Sequence, residues 1–140
     1  MILNFWEAKC AGRIMPQRSD IDPDEIRRYL PYITLVDVVA DARQYVYRLV
    51  GTQEVALRGR DPTGKSVAEA FFGTSVENVL AKYDTVYRTR KPFYERDDFQ
   101  VVDRYVGEEN LFLPLSDDGV TVNKIMVFSI NRDLYMMPPE

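Results

Sequence analysis

Apolar side chains recur along residues 74–92, TSVENVLAKYDTVYRTRKP, at Val76, Val79, Leu80, Tyr83, Val86 and Tyr87. Spacings of three and four put them on one face of an α-helix, the strongest periodic signal in the chain. Thr74 with Glu77 reads as its capping box, and Ser66 with Glu69 caps a shorter helix over SVAEAFFG. TQEVALRG predicts another short helix. Residues 2–11 predict a helix with Ile2, Leu3, Phe5, Trp6 and Cys10 apolar, ending near Gly12. In SDIDPDEIRRYLP, Asp22 is the N-cap, Pro23 the first helical residue, Glu25 the third, and Pro31 the stop.

Elsewhere the pattern changes to β-branched and aromatic runs. YITLVDVV and QYVYRLVG flank a short polar loop near ADAR, as a hairpin would. FYERDDFQVV, LFLPLS and VTVNKIMVFSI follow the helices, the last two joined by DDG. The turn between the first two of these falls near Asp103 or near Gly107. The order is two strands, several helices, three strands. This predicts an α+β domain with an antiparallel sheet and helices packed on one face. The boundaries are an N-terminal helix over 1–12, the domain over 13–133 and a tail over 134–140.

Composition narrows the function. The chain has 140 residues, 46% of them hydrophobic, enough for one core. With 22 acidic and 18 basic residues the net charge is -4, and no basic helix face offers itself to nucleic acid. The best apolar run, ITLVDVVA, is short and broken by Asp37, so no membrane span is expected. Nor does the N-terminus read as a signal peptide, and a soluble cytoplasmic protein is the expectation. Cys10 is the single cysteine, so no internal disulfide forms. The chain has no histidine, which removes Ser-His-Asp and Cys-His catalysis and His-ligated zinc or haem.

One motif argues for a different chemistry. GRDPTGKS, Gly59–Ser66, matches the phosphate-binding P-loop pattern. The preceding EVALR is not strand-like, and Pro62 removes an N–H the loop would need. DPTG is instead a type I turn, and Ser66 a helix cap. Nucleotide binding is disfavoured.

MPQRSDIDPDEIRRYLPYITLVDVV, YVYRLVGT, GRDPTGKS and LPLSDDG, in this order, resemble a PAS-like domain family of short single-domain alphaproteobacterial proteins. The resemblance covers roughly residues 6–131. It implies a PAS fold, a five-stranded antiparallel sheet in order 2-1-5-4-3 with helices across one face. It further implies a non-enzymatic sensory or protein-interaction module, with a homodimer and a signalling protein as partners and a small molecule between sheet and helices as a candidate ligand. No cofactor is expected: flavin photosensors of this fold need a cysteine in the helical middle, and Cys10 precedes it.

Asp37 and Arg48 are charged positions within apolar strands. If Ala40 lies opposite Tyr45, they face each other as a cross-strand ion pair; alternatively Arg48 faces the helices and grips an anionic ligand. Tyr47, Phe72, Tyr83 and Tyr87 are either core or the aromatic wall of a small-molecule pocket. Trp6 plugs one end of the core or joins Ile2, Leu3 and Phe5 in a dimer contact. The rival reading is a small α+β cone enzyme with Asp37 or Asp97 as general base.

Overall fold

The computed structural model of the protein describes residues 1–101 and 104–136. Five strands, β1 (Ile33–Val38), β2 (Tyr45–Val50), β3 (Phe93–Val101), β4 (Arg104–Leu115) and β5 (Lys124–Met136), form one antiparallel sheet in the order β2-β1-β5-β4-β3. This is the topology the PAS resemblance implies. The helices are α1 (Ile2–Cys10), α2 (Thr52–Arg58), α3 (Val67–Ala70) and α4 (Val76–Thr89).

On one face, α4 buries Val79, Tyr83 and Val86, the stripe predicted from its spacing, while Tyr87 at the stripe's edge stays 41% exposed. Its N-cap is one residue later than expected: Ser75, not Thr74, accepts from the Asn78 amide. Ser66 caps α3 as expected, accepting from the Glu69 amide.

The other face of the sheet is covered too. Side chains alternate along a strand, so Leu35, Leu113 and Met126 point away from α4, yet all are buried. α1 packs there: Ile2, Trp6 and Cys10 join the core, and the Trp6 indole N–H donates to the Pro114 carbonyl at 2.9 Å. Residues Pro23–Tyr32 form a 3-10 helix rather than an α-helix, with non-helical φ/ψ at Ile26. The Asp22 cap accepts from Asp24 rather than from Glu25. Tyr29 of this segment meets Phe128 edge-on at 5.4 Å. The N-terminal helix is therefore part of the core, and its apolar residues are explained by packing on the sheet.

β5 runs to Met136 and so includes residues 134–136, assigned above to the tail. The pairing of Val101 with Arg104 puts the β3–β4 connection at 102–103, which lie outside the described residues, whereas Gly107 sits within β4. Among the described residues no helix is long and apolar enough to cross a membrane.

Candidate ligand cavity

Between the sheet and the α3–α4 layer lies a cavity of about 30 Å³, enough for one or two waters. Arg58 stands in its wall because of two local features. Gly51, which opens α2, lies so close to the preceding segment that a Cβ there would come within 2.4 Å of the Pro31 carbonyl oxygen. Gly59, left-handed at φ 81°, ends the helix directly after Arg58.

The Arg58 guanidinium lies over the rings of Tyr47 and Phe72, at 4.9 and 5.4 Å. Nη1 donates to the Tyr47 hydroxyl at 3.1 Å and reaches the Ala70 carbonyl at 3.4 Å. Nε is buried and has no acceptor among the described residues. Burial works against the charge, but the Tyr47 oxygen, with Tyr83 and Glu54, more than offsets it, and the pKa of Arg58 moves up.

The floor comes from alternate residues of β4. Glu108, Asn110 and Phe112 all line the cavity, joined by Val127 and Ser129 of β5. Ser129 donates to Asn110 Oδ1 at 2.5 Å, and Asn110 Nδ2 donates to Glu95 at 2.7 Å. Lys82 of α4 closes this network, 3.2 Å from Glu95 and 3.2 Å from Asp97. The Thr74 hydroxyl also donates to Asp97. Glu108 is buried, and desolvation pushes its carboxyl from 4.5 up to about 7, only partly countered by Arg58, Asn110 and Lys82. Burial likewise holds the Tyr83 phenol well above its ordinary value.

The structure brings together three of the six candidate residues: Tyr47, Phe72 and Tyr83 line the cavity, and Arg48, Asp37 and Tyr87 do not. The expected Asp37–Arg48 pair does not form. The hairpin closes with Val38, not Ala40, opposite Tyr45, and an irregularity between Leu35 and Val36 leaves Arg48 without an opposite residue, between Leu49 opposite Leu35 and Tyr47 opposite Val36. Asp37 then faces Val46, and its carboxylate accepts from Lys124 of β5 at 2.6 Å, while Arg48 is exposed. Trp6 is a core residue, 5% exposed.

Arg58, Lys82, Glu108, Asn110 and Ser129 went unread in the sequence. A signal for two of them existed: counting back from Phe112 by twos puts Asn110 and Glu108 on its buried face. Arg58 carried no such mark.

The P-loop match is resolved by its own backbone. The Gly64 amide donates to the Tyr47 carbonyl at 2.7 Å, and that of Lys65 to Pro62 at 2.9 Å. The Thr63 amide donates to the Asp61 carboxylate at 3.0 Å. Donors that would cradle a phosphate are spent holding this turn against β2.

Two solved structures have the same fold. The PAS domain from Bordetella pertussis BvgS is 16% identical, with a TM-score of 0.57 over 78% of this chain and 87% of that one. The Rhodobacter sphaeroides LOV protein is 11% identical, with a TM-score of 0.55 over 81% of this chain and 69% of that one. No curated protein matches in sequence. The sequence model of the PAS domain matches residues 1–127, nearly the whole chain. Fold and family match agree, and the chain belongs to the PAS domain family, which supports its reading as a sensory or interaction module.

Proposed function

We propose that this domain is a non-enzymatic sensor that takes a small molecule between its sheet and the α3–α4 layer and passes occupancy on by contact with a signalling protein, as a homodimer. One observation carries the reading: a buried cavity whose wall holds a guanidinium with an unused N–H. A buried donor without an acceptor costs about 1–3 kcal/mol, a cost that an occupant would remove. Aromatic walls with a few convergent polar groups are the usual make-up of a small-molecule site. The enzyme reading loses its two bases, since Asp37 is engaged by Lys124 and Asp97 by Lys82 and Thr74.

The test is a fragment library titrated into the labelled full chain and followed by amide NMR. Binding here perturbs Tyr47, Tyr83 and Ser129 together. If no fragment moves these signals, or fragments collect only elsewhere, the cavity is not a sensory site.

A further inference from the structure

The unused Nε–H of Arg58 and the setting of Glu108 narrow the class of occupant. Arg58 is the cavity cation with an open donor: Nη1 is spent on Tyr47 and Ala70, and Lys82 on Glu95 and Asp97. Nε–H and the adjacent Nη2 form the side-on edge of the guanidinium, which matches the two oxygens of a carboxylate. We propose that the cavity takes a small carboxylate, held side-on by Arg58, with the neutral carboxyl of Glu108 donating to the same group, so that binding takes up a proton wherever Glu108 is ionised in the free protein. This rests on the reading of the cavity as the sensory site.

The proton follows from the charges around Glu108. From α2 it feels Arg58, from α4 Lys82 and the buried phenol of Tyr83, and from β3 Glu95; Asp97 of β3 lines the same cavity, and Ser129 is the neighbour there from β5. Lys82 already answers two carboxylates, and Arg58 has Glu54 near it. Among the described residues Arg58 and Lys82 are the cations that line the cavity, and Arg60 lies outside it, in the neighbouring hollow. Two carboxylates side by side in a desolvated space share a proton. Glu108, already held near neutral pH by burial, is the group that takes it up. A phosphate dianion would bring twice the charge to the same acidic surroundings, and a neutral amide would leave the guanidinium charge uncompensated.

Size and entry agree with a short chain. Arg58 and Phe72 also line an open hollow of about 250 Å³ with Arg60, Ala70 and Phe71. A carboxylate head inside at Arg58 would extend its tail past Phe72 into this recess, along Ala70 and Phe71. A chain of two to four carbons suits it.

The experiment titrates the full chain by amide NMR with sodium propionate, propionamide and inorganic phosphate, at about pH 6 and about pH 8. Propionate should perturb Tyr47, Phe72 and Ser129 and bind about tenfold more weakly at the higher pH, the ratio of protonated Glu108 for a pKa near 7. Propionamide and phosphate should leave these residues unmoved. Glu108→Gln should bind propionate equally at both pH values. Arg58→Lys and Arg58→Met should lose at least tenfold in affinity, with amide dispersion checking the fold; if neither folds, the Glu108→Gln comparison still decides. Equal binding of propionamide, preference for phosphate, or an unchanged pH dependence in Glu108→Gln overturns the carboxylate assignment and leaves the sensory reading standing. Silence of the cavity to these probes and to the whole fragment library overturns both.

Discussion

Replacing Glu108 by glutamine tests the electrostatics of the cavity without any ligand. Below about pH 4.5 the carboxyl is protonated in both folded and unfolded chains and affects neither. As the pH rises the unfolded chain gives up its proton first, while the folded chain keeps it to about pH 7 because desolvation disfavours the charge. The folded state then binds more protons than the unfolded, so stability falls with rising pH through this window. Each pH unit between the two values is worth about 1.36 kcal/mol, so the full penalty above the window is about 3 kcal/mol. Glutamine keeps the shape and carries no charge, so the variant escapes this term at every pH. Other titrating groups contribute to both proteins alike and cancel in the difference. Urea denaturation, read by the fluorescence of Trp6, the single tryptophan and a buried one, gives stabilities at about pH 5 and about pH 8. Across that interval Glu108→Gln should gain on the wild type by about 2.5 kcal/mol. A gap that changes by less than about 1 kcal/mol would mean that Glu108 is solvated or neutralised by a partner, and the account of the cavity would fail.

Trp6→Ala should cost about 3–5 kcal/mol in urea denaturation followed by circular dichroism, the loss usual for a buried aromatic, because α1 belongs to the core; a cost under about 1 kcal/mol would return Trp6 to the dimer contact. For the half-buried Asp37–Lys124 pair, a double-mutant cycle with Asp37→Asn and Lys124→Met should show coupling of about 0.5–1 kcal/mol. Arg48→Met should change stability by less than about 0.5 kcal/mol, and coupling between Asp37 and Arg48 in place of Lys124 would contradict the register. Gly51→Ala should lower the thermal midpoint by an amount equivalent to at least about 1–3 kcal/mol, since its methyl group meets the rigid carbonyls of Leu30 and Pro31; a neutral result would mean that the α2 junction is looser than described.

The order and type of the elements were legible in the sequence because their signals are local. Ser66 caps α3 through an oxygen three residues from the amide it serves, and Val79, Tyr83 and Val86 declare a helix face within two turns. The hairpin between β1 and β2 shows in its β-branched runs and the polar loop between them, and Pro62 with Gly64 was enough to read the Gly59–Ser66 match as a turn. What failed were statements that depend on a single residue of register or on geometry fixed elsewhere. The hairpin closes with Val38, not Ala40, opposite Tyr45, so Asp37 faces Val46 and takes Lys124 of β5, 87 positions away, in place of Arg48. The 3-10 form of Pro23–Tyr32 accompanies its packing against β5 and α2, which the cap residues do not encode. The cavity was the least legible feature. Its charged and polar lining is gathered from α2, α4 and all five strands, and each member looks ordinary in its own segment: Arg58 ends a short helix, and Glu108 follows a glycine that also read as a turn. Burial turns Arg58 into an unsatisfied donor and Glu108 into a carboxyl that titrates near neutral pH. Burial is a property of the assembled layers, because desolvation depends on which surfaces close over a side chain and not on its neighbours in the chain.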